Sequence, residues 1–223
     1  PTEAGDDLFR VAQATDDQFN QLSGRIKGRG AEVSGELVVT SLVSLATLMV
    51  PVLTDFQNAH PDLVIRYLTG DRLFRLEYGE AHVAIRAGSA PDQPDNVVQP
   101  FVPTSVGLFA TQKYIASHGH PKDIATAKGH RFICHDATDN RAPFHKWLRS
   151  QVDEDDITFR STDARAMELA VLAGAGIGFY PLIEARANPD LVEVIPPRED
   201  WSTSLWLVTY MDLHRTNKVQ AFL

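Results

Sequence analysis

Residues 35–70 read GELVVTSLVSLATLMVPVLTDFQNAHPDLVIRYLTG, and their pattern decides the fold. Leu37-Val38-Val39 is a short apolar run of strand length. Leu45, Leu48, Met49, Val52, Leu53 and Phe56 then recur three and four residues apart, which is one face of a helix. Pro51 falls inside that stretch and has no N–H. The helix is therefore expected to kink there or to be regular only from about residue 51. His60-Pro61-Asp62 breaks it, because the residue before a proline avoids helical dihedrals. Leu63 to Leu68 is a second strand, rich in branched and aromatic residues and closed by Thr69-Gly70-Asp71.

The alternation continues downstream. Strands are expected at 82–87, 97–101, 106–110, 131–134, 157–160, 177–180, 191–195 and 205–210. Helices are expected at 73–78, 113–117, around Phe144 to Leu148, after an Asp163 cap, at 182–187 and from Lys218. Strands alternating with helices imply parallel sheets and the α/β class.

Working outward to the start, Leu8, Ala12, Thr15, Phe19, Leu22 and Ile26 are spaced 4, 3, 4, 3, 4. That is the seam of a coiled coil. Gly28-Arg29-Gly30 ends the run, so residues 1–30 are expected to form a linker helix that pairs with a second copy through Leu8, Phe19, Leu22 and Ile26. An amphipathic helix packed on its own domain is the plainer alternative.

Composition narrows the function. The chain has 223 residues and a formal net charge of −8, without the basic balance of a protein that grips nucleic acid through phosphates. No apolar run is long enough to span a membrane. The single cysteine, Cys134, allows no internal disulfide. Gly174-Ala175-Gly176-Ile177-Gly178 has a helix before it and a strand after it, the reverse of a dinucleotide-binding turn, so it reads as a tight helix-to-strand connection. Cys134-His135-Asp136 resembles a catalytic constellation, but neighbours in a strand point to opposite faces. His118 with His120, and His130 with His135, lack metal-ligand spacing. No catalytic residue, metal or cofactor is expected. Polar residues at strand ends remain: Thr40, Ser41 and Ser44 before the first long helix, Thr69 and Asp71 after the second strand, and Arg86 in the third. Such ends are where open α/β sheets bind ligands, and a helix start favours an anion. Ser44 could instead serve only as a helix cap, and Arg86 only as a surface salt bridge.

Four stretches make the chain resemble the LysR-type transcriptional regulators. They are Pro1-Thr2-Glu3-Ala4-Gly5; Gly35-Glu36-Leu37-Val38-Val39 with Leu48-Met49-Val50-Pro51; Phe56 with His60-Pro61 and Gly70; and Gly174 to Gly178 with Pro181. His82 departs from the pattern, standing where the family has Asp. The resemblance implies a two-lobed effector domain like the type 2 periplasmic binding proteins, preceded by the linker helix. Lobe I is expected at 34–109 and 203–223, and lobe II at 110–202. It implies a cytoplasmic regulator that pairs as a homodimer or homotetramer and reaches DNA only through a winged helix-turn-helix missing from these residues. A transport solute-binding protein of the same fold is the alternative. The expected ligand is a small molecule, a small carboxylate or aromatic acid, held between the lobes. Its expected contacts are Ser41, Leu42, Ser44, Asp71 and Arg86 from the first lobe, Thr104 near the crossover, and Phe132 and His135 from the second.

Overall fold

The computed structural model describes Thr2, Ala4, Gly5, Leu8, Val11, Ala12, Thr15, Phe19 and residues 33–223 except Asp71, Asp139 and Arg141. The expected seam residues Leu22 and Ile26 and the expected pocket residue Asp71 lie outside the described residues. Ala4, Gly5, Leu8, Val11, Ala12, Thr15 and Phe19 are helical.

The chain divides into two units, Pro1–Val102 with Ser204–Leu223, and Pro103–Thr203. The expected start of the second lobe at residue 110 would cut the strand Val106–Thr111, which pairs on both sides within the second unit. The boundary therefore lies between Val102 and Pro103, and the return lies between Thr203 and Ser204.

The first unit is built on β1 (Gly35–Ser41), β2 (Leu63–Thr69), β3 (Val83–Ala87), β4 (Asn96–Pro100) and β10 (Leu205–Tyr210), in the order β2-β1-β3-β10-β4. Strand β1 is parallel to β2 and β3, whereas β10 is antiparallel to β3 and β4. The expectation of parallel sheets is thus corrected to mixed ones. Strand β10 is where the chain re-enters this unit, and it runs against the strands made by local strand–helix–strand crossovers. Both faces of the sheet are covered, which explains the continuous apolar run in β1. Leu37 and Val39 pack with Met49, Leu53, Val83 and Leu205 on one face, and Val38 packs with Leu76, Ala84 and Val208 on the other.

A 3-10 turn (Val43–Leu45) leads into α1 (Ala46–Ala59), which continues through Pro51. Pro51 is exposed, and so is Thr47, the residue whose carbonyl an N–H at position 51 would have met. Water can take over that acceptor, so the helix needs no late start. Only Leu76–Tyr78 of the expected 73–78 helix is helical, as a 3-10 turn. The Glu80 carboxylate accepts the Arg75 N–H at 2.8 Å and ties that segment in a loop. His82 performs the hydrogen bonding expected of a carboxylate: its Nδ1 accepts the Val38 N–H at 2.9 Å, while its own N–H donates to the Val38 carbonyl at 2.8 Å.

The second unit repeats the plan. Its strands are β5 (Val106–Thr111), β6 (Phe132–His135), β7 (Ile157–Ser161), β8 (Ile177–Pro181) and β9 (Leu191–Ile195), in the order β7-β6-β8-β5-β9. Strand β6 is parallel to β7 and β8, and the entering strand β5 is antiparallel to β8 and β9. The helices are α2 (Gln112–His118), α3 (Pro143–Gln151), α4 (Ala164–Leu172) and α5 (Leu182–Ala187). Back in the first unit, α6 (Met211–His214) and α7 (Asn217–Phe222) close the chain.

The glycine-rich connection is the tight turn that the sequence predicts. Gly174 has φ +77°, a region that favours glycine. A Cβ on Gly176 would collide with the Arg131 carbonyl, and one on Gly178 would lie 2.7 Å from Val171 Cγ2. These glycines let α4 and β8 close on β6, which has nothing to do with a phosphate.

Candidate functional site

In the first unit the carboxyl ends of β1 and β2 lie side by side, with Leu42 and Ser44 following Ser41 at the end of β1 and Thr69 ending β2. Ser41 and Thr69 are register partners. Ser41 is 4% exposed, and its hydroxyl donates to the Leu42 carbonyl at 2.9 Å. A serine has one hydroxyl hydrogen, so the 2.6 Å contact with the Tyr67 hydroxyl is donated by Tyr67. Burial pushes the Tyr67 phenol up, and the Ser41 bond partly offsets this. Ser41 therefore has no proton left for a ligand.

Ser44 differs. It sits in the 3-10 turn, half-buried, and its hydroxyl has no hydrogen-bond partner among the described residues. It does not cap α1, whose N-cap is Leu45 and has no side-chain cap. No acidic residue stands in the first turn of α1. This helix start presents partial positive charge beside an unpartnered hydroxyl. Leu42 is half-buried and packs against the core that holds Leu37 and Val39.

The structure does not bring Arg86 to that group. Strand alternation puts Ser41 on the face of Leu37 and Val39, and Arg86 on the face of Ala84, opposite Trp206. There Arg86 Nη1 donates to Gln93 Oε1 at 3.1 Å and Nη2 to the Phe74 carbonyl at 3.4 Å. Burial lowers its pKa, and Glu77 opposes that shift.

In the second unit Thr104 is fixed by its backbone: its N–H donates to Thr203 O at 2.9 Å and the Thr203 N–H donates back at 2.8 Å. Phe132 is 1% exposed at the start of β6, packed with Leu148, Ile157 and Ile177. It is a core residue, so its expected place as a ligand wall is corrected. His135 does lie at the carboxyl end of β6, half-buried, with Nδ1 accepting the Ala137 N–H at 3.1 Å.

Two residues missed by the sequence reading dominate that end. His145 on α3 places Nδ1 3.6 Å from Cys134 Sγ and 3.4 Å from the His135 N. Burial, then the neighbouring His135 and Arg149, drops its pKa to about 3, so it stays neutral. Arg149, one turn later on the same face, donates through Nη2 to the His135 carbonyl at 2.7 Å and to the Asp136 carbonyl at 3.2 Å. Its Nη1 meets Glu154 Oε1 at 2.7 Å. Helical spacing of His145 and Arg149 was the available signal, but only the tertiary fold places them under β6. The Cys134 thiol is fully buried and burial pushes its pKa up, which disfavours the reactive thiolate. Helix α4 is capped by its own residue, since Asp163 Oδ1 accepts the Ala166 N–H at 2.8 Å. Among the described residues no cluster of three His, Cys, Asp or Glu could hold a metal ion.

With this geometry in place, the comparisons with known proteins are informative. A family model described as the LysR substrate binding domain matches residues 30–223. An HTH-type transcriptional repressor of Pseudomonas aeruginosa is 29% identical over 128 residues, 56% of this chain and 40% of that protein. The HTH-type transcriptional regulator IlvY of Escherichia coli is 37% identical over 100 residues, 43% of this chain and 33% of that protein. The matches thus span well under half the length of these relatives. Among solved structures, CrgA of Neisseria meningitidis, a LysR-type transcriptional regulator, aligns with a TM-score of 0.72 at 17% identity, over 99% of this chain and 77% of that one. The AmpR effector binding domain of Citrobacter freundii aligns with a TM-score of 0.64 at 15% identity, over 85% of this chain and 94% of that one.

Proposed function

Because the chain belongs to the LysR substrate-binding domain family, matched over residues 30–223, we propose that it senses a small anionic effector for a transcriptional regulator. The head group binds in the first unit, at Ser44 and the entry to α1. The observation that carries this reading is the unpartnered Ser44 hydroxyl at a helix start with neither a cap nor an acidic residue. A small carboxylate or aromatic acid suits it, with the Ser44 hydroxyl donating to the anion beside the positive end of α1 and Leu42 meeting the apolar part. Binding alters the balance of two conformations, and DNA contact is made by a domain outside residues 1–223. Such coupling requires an effector with different affinity for the two states. We place the protein in the cytoplasm, where such a regulator meets DNA. Among the described residues no helix is long and apolar enough to cross a membrane.

A thermal-shift screen of small carboxylates and aromatic acids tests the proposal. A ligand at about 100 times its Kd stabilises the folded state by about 2.7 kcal/mol and raises the melting temperature by several degrees. The expected result is a rise with at least one acid in the screen. A flat response to the whole acid set, with a rise for neutral or cationic compounds, overturns it.

The helical N-terminal residues support self-association. Leu8 is 71% and Phe19 66% exposed in the single chain. A second copy of the helix would bury these residues, stabilising the pair by about 1.5–3 kcal/mol per large side chain. A homodimer or homotetramer is expected in sedimentation, and Leu8→Asp with Phe19→Asp should weaken it. A monomer at tens of micromolar for the unaltered chain contradicts the pairing.

A further inference from the structure

We propose that Arg86 and Thr40 form a second small-molecule site, on the face of the first unit's sheet opposite to Ser41, and that it takes a monocarboxylate with a short apolar tail. The site goes beyond the effector reading and does not depend on Ser44. An arginine without a counter-charge and a buried hydroxyl without a bond point to it independently.

Arg86 is half-buried on β3, opposite Trp206 of β10. Its guanidinium is held by two neutral acceptors, Gln93 Oε1 at 3.1 Å and the Phe74 carbonyl at 3.4 Å. The buried carboxylate of the loop that follows β2, Glu80, is already paired with Arg72 and Arg75. Glu77 offsets the burial of Arg86 only in part and makes no bond to it among the described residues. A half-buried cation held by neutral groups gains from an incoming anion, and the guanidinium fork has N–H groups to spare for one. Thr40 is 5% exposed, and its hydroxyl has no hydrogen-bond partner among the described residues. It is the register partner of Ala84, and Arg86 follows two residues later on the same face, so the two Cα atoms lie about 8 Å apart. The Phe74 carbonyl holds the guanidinium on this face, since Phe74 packs on the cluster of Val38 and Ala84. One carboxylate oxygen meets the guanidinium and the other accepts the Thr40 hydroxyl. Leu68, Phe74 and Trp206 are partly buried on the same cluster and meet the alkyl tail. One uncompensated positive charge in apolar surroundings suits a singly charged acid better than a phosphate, whose further charge would face Glu77 unpaired.

The test is a titration of sodium butyrate against the isotopically labelled full chain, followed at the Thr40 and Arg86 amides and the Arg86 Nε–H, with n-butylammonium chloride and inorganic phosphate as controls. Saturable shifts with butyrate, none with butylammonium and weaker binding of phosphate are expected. Arg86→Gln should weaken butyrate binding at least about tenfold, because the charge is gone. Thr40→Val, which keeps the shape and removes the hydroxyl, should weaken it about fivefold. Arg86→Lys, which keeps the charge, should weaken it less than Arg86→Gln and provides the readout should Arg86→Gln lower the melting temperature. Ser44→Ala should leave these shifts unchanged, which separates this site from the effector site. Shifts that never saturate, an equal response to butylammonium, tighter binding of phosphate, unchanged affinity in Arg86→Gln or in Thr40→Val, or loss of the shifts in Ser44→Ala each overturn the proposal.

Discussion

The two units share one strand plan, β2-β1-β3-β10-β4 and β7-β6-β8-β5-β9, yet their side chains tie the carboxyl ends of the strands differently. In the second unit those ends are closed by the protein itself. Arg149 holds the carbonyls after β6, the neutral His145 sits behind Cys134, and Asp163 caps α4. The helices that follow the corresponding strands β1 and β6 both start without a side-chain cap, and in the first unit the Ser44 hydroxyl there has no hydrogen-bond partner among the described residues. The Ser44 hydroxyl is open to water, which a ligand group can replace without breaking a bond within the protein. The same topology thus yields one end tied by side-chain bonds and one end with an open hydroxyl.

The largest expected difference between the units is at glycine, at the amino ends of β6 and β8 rather than at their carboxyl ends. Gly176→Ala puts a methyl group into the Arg131 carbonyl, where backbone must move, whereas a Cβ on Gly70 in the first unit meets nothing within 4 Å. Gly176→Ala should cost about 3 kcal/mol or more in chemical denaturation, and Gly70→Ala less than about 1 kcal/mol. Equal effects would remove the claim that the turn from α4 into β8 is packed more tightly than the end of β2.

Acid gives the next largest effect. His145 titrates near 3 in the folded chain and near 6.5 when unfolded. A lowered folded pKa means that its contribution is fully present above about pH 6.5 and is lost as the pH falls toward 3. At pH 5 the loss is about 2 kcal/mol. The stability of His145→Gln should therefore fall less between pH 7 and pH 5 than that of the unaltered chain. Parallel pH profiles would contradict a buried neutral His145.

A smaller effect separates Arg86 from the receptive end. Arg86→Gln should lower stability by about 1 kcal/mol or less, through its part-buried bond to the Phe74 carbonyl and its exposed bond to Gln93. It should leave effector affinity unchanged, and a large loss of affinity would return Arg86 to the site.

Much of this was legible in the sequence, and the failures have physical causes. The 35–70 stretch gave β1, α1 and β2, because apolar periodicity reports burial directly. Strand direction was not legible, since β5 and β10 look like any other apolar strand and only pairing shows them antiparallel. Ser44 could be singled out because hydroxyls at helix starts are common ligand or cap positions, but a sequence cannot tell a used hydroxyl from an unused one. Ser41 and Ser44 look alike in sequence, and the Tyr67 hydroxyl is what distinguishes them. Arg86 was grouped with Ser41 by strand-end position, although their registers put them on opposite faces. Phe132 was placed at the wrong end of a four-residue strand.

The account turns on whether the Ser44 hydroxyl serves the ligand or the fold, and one variant decides it. For Ser44→Ala, affinity for the best acid from the screen and the melting temperature of the free protein are measured together. Affinity should fall about tenfold, the effect of one charge-assisted hydrogen bond, while the melting temperature stays within about a degree, because the hydroxyl caps nothing. Unchanged affinity with a melting temperature several degrees lower would contradict the account and make Ser44 a structural residue.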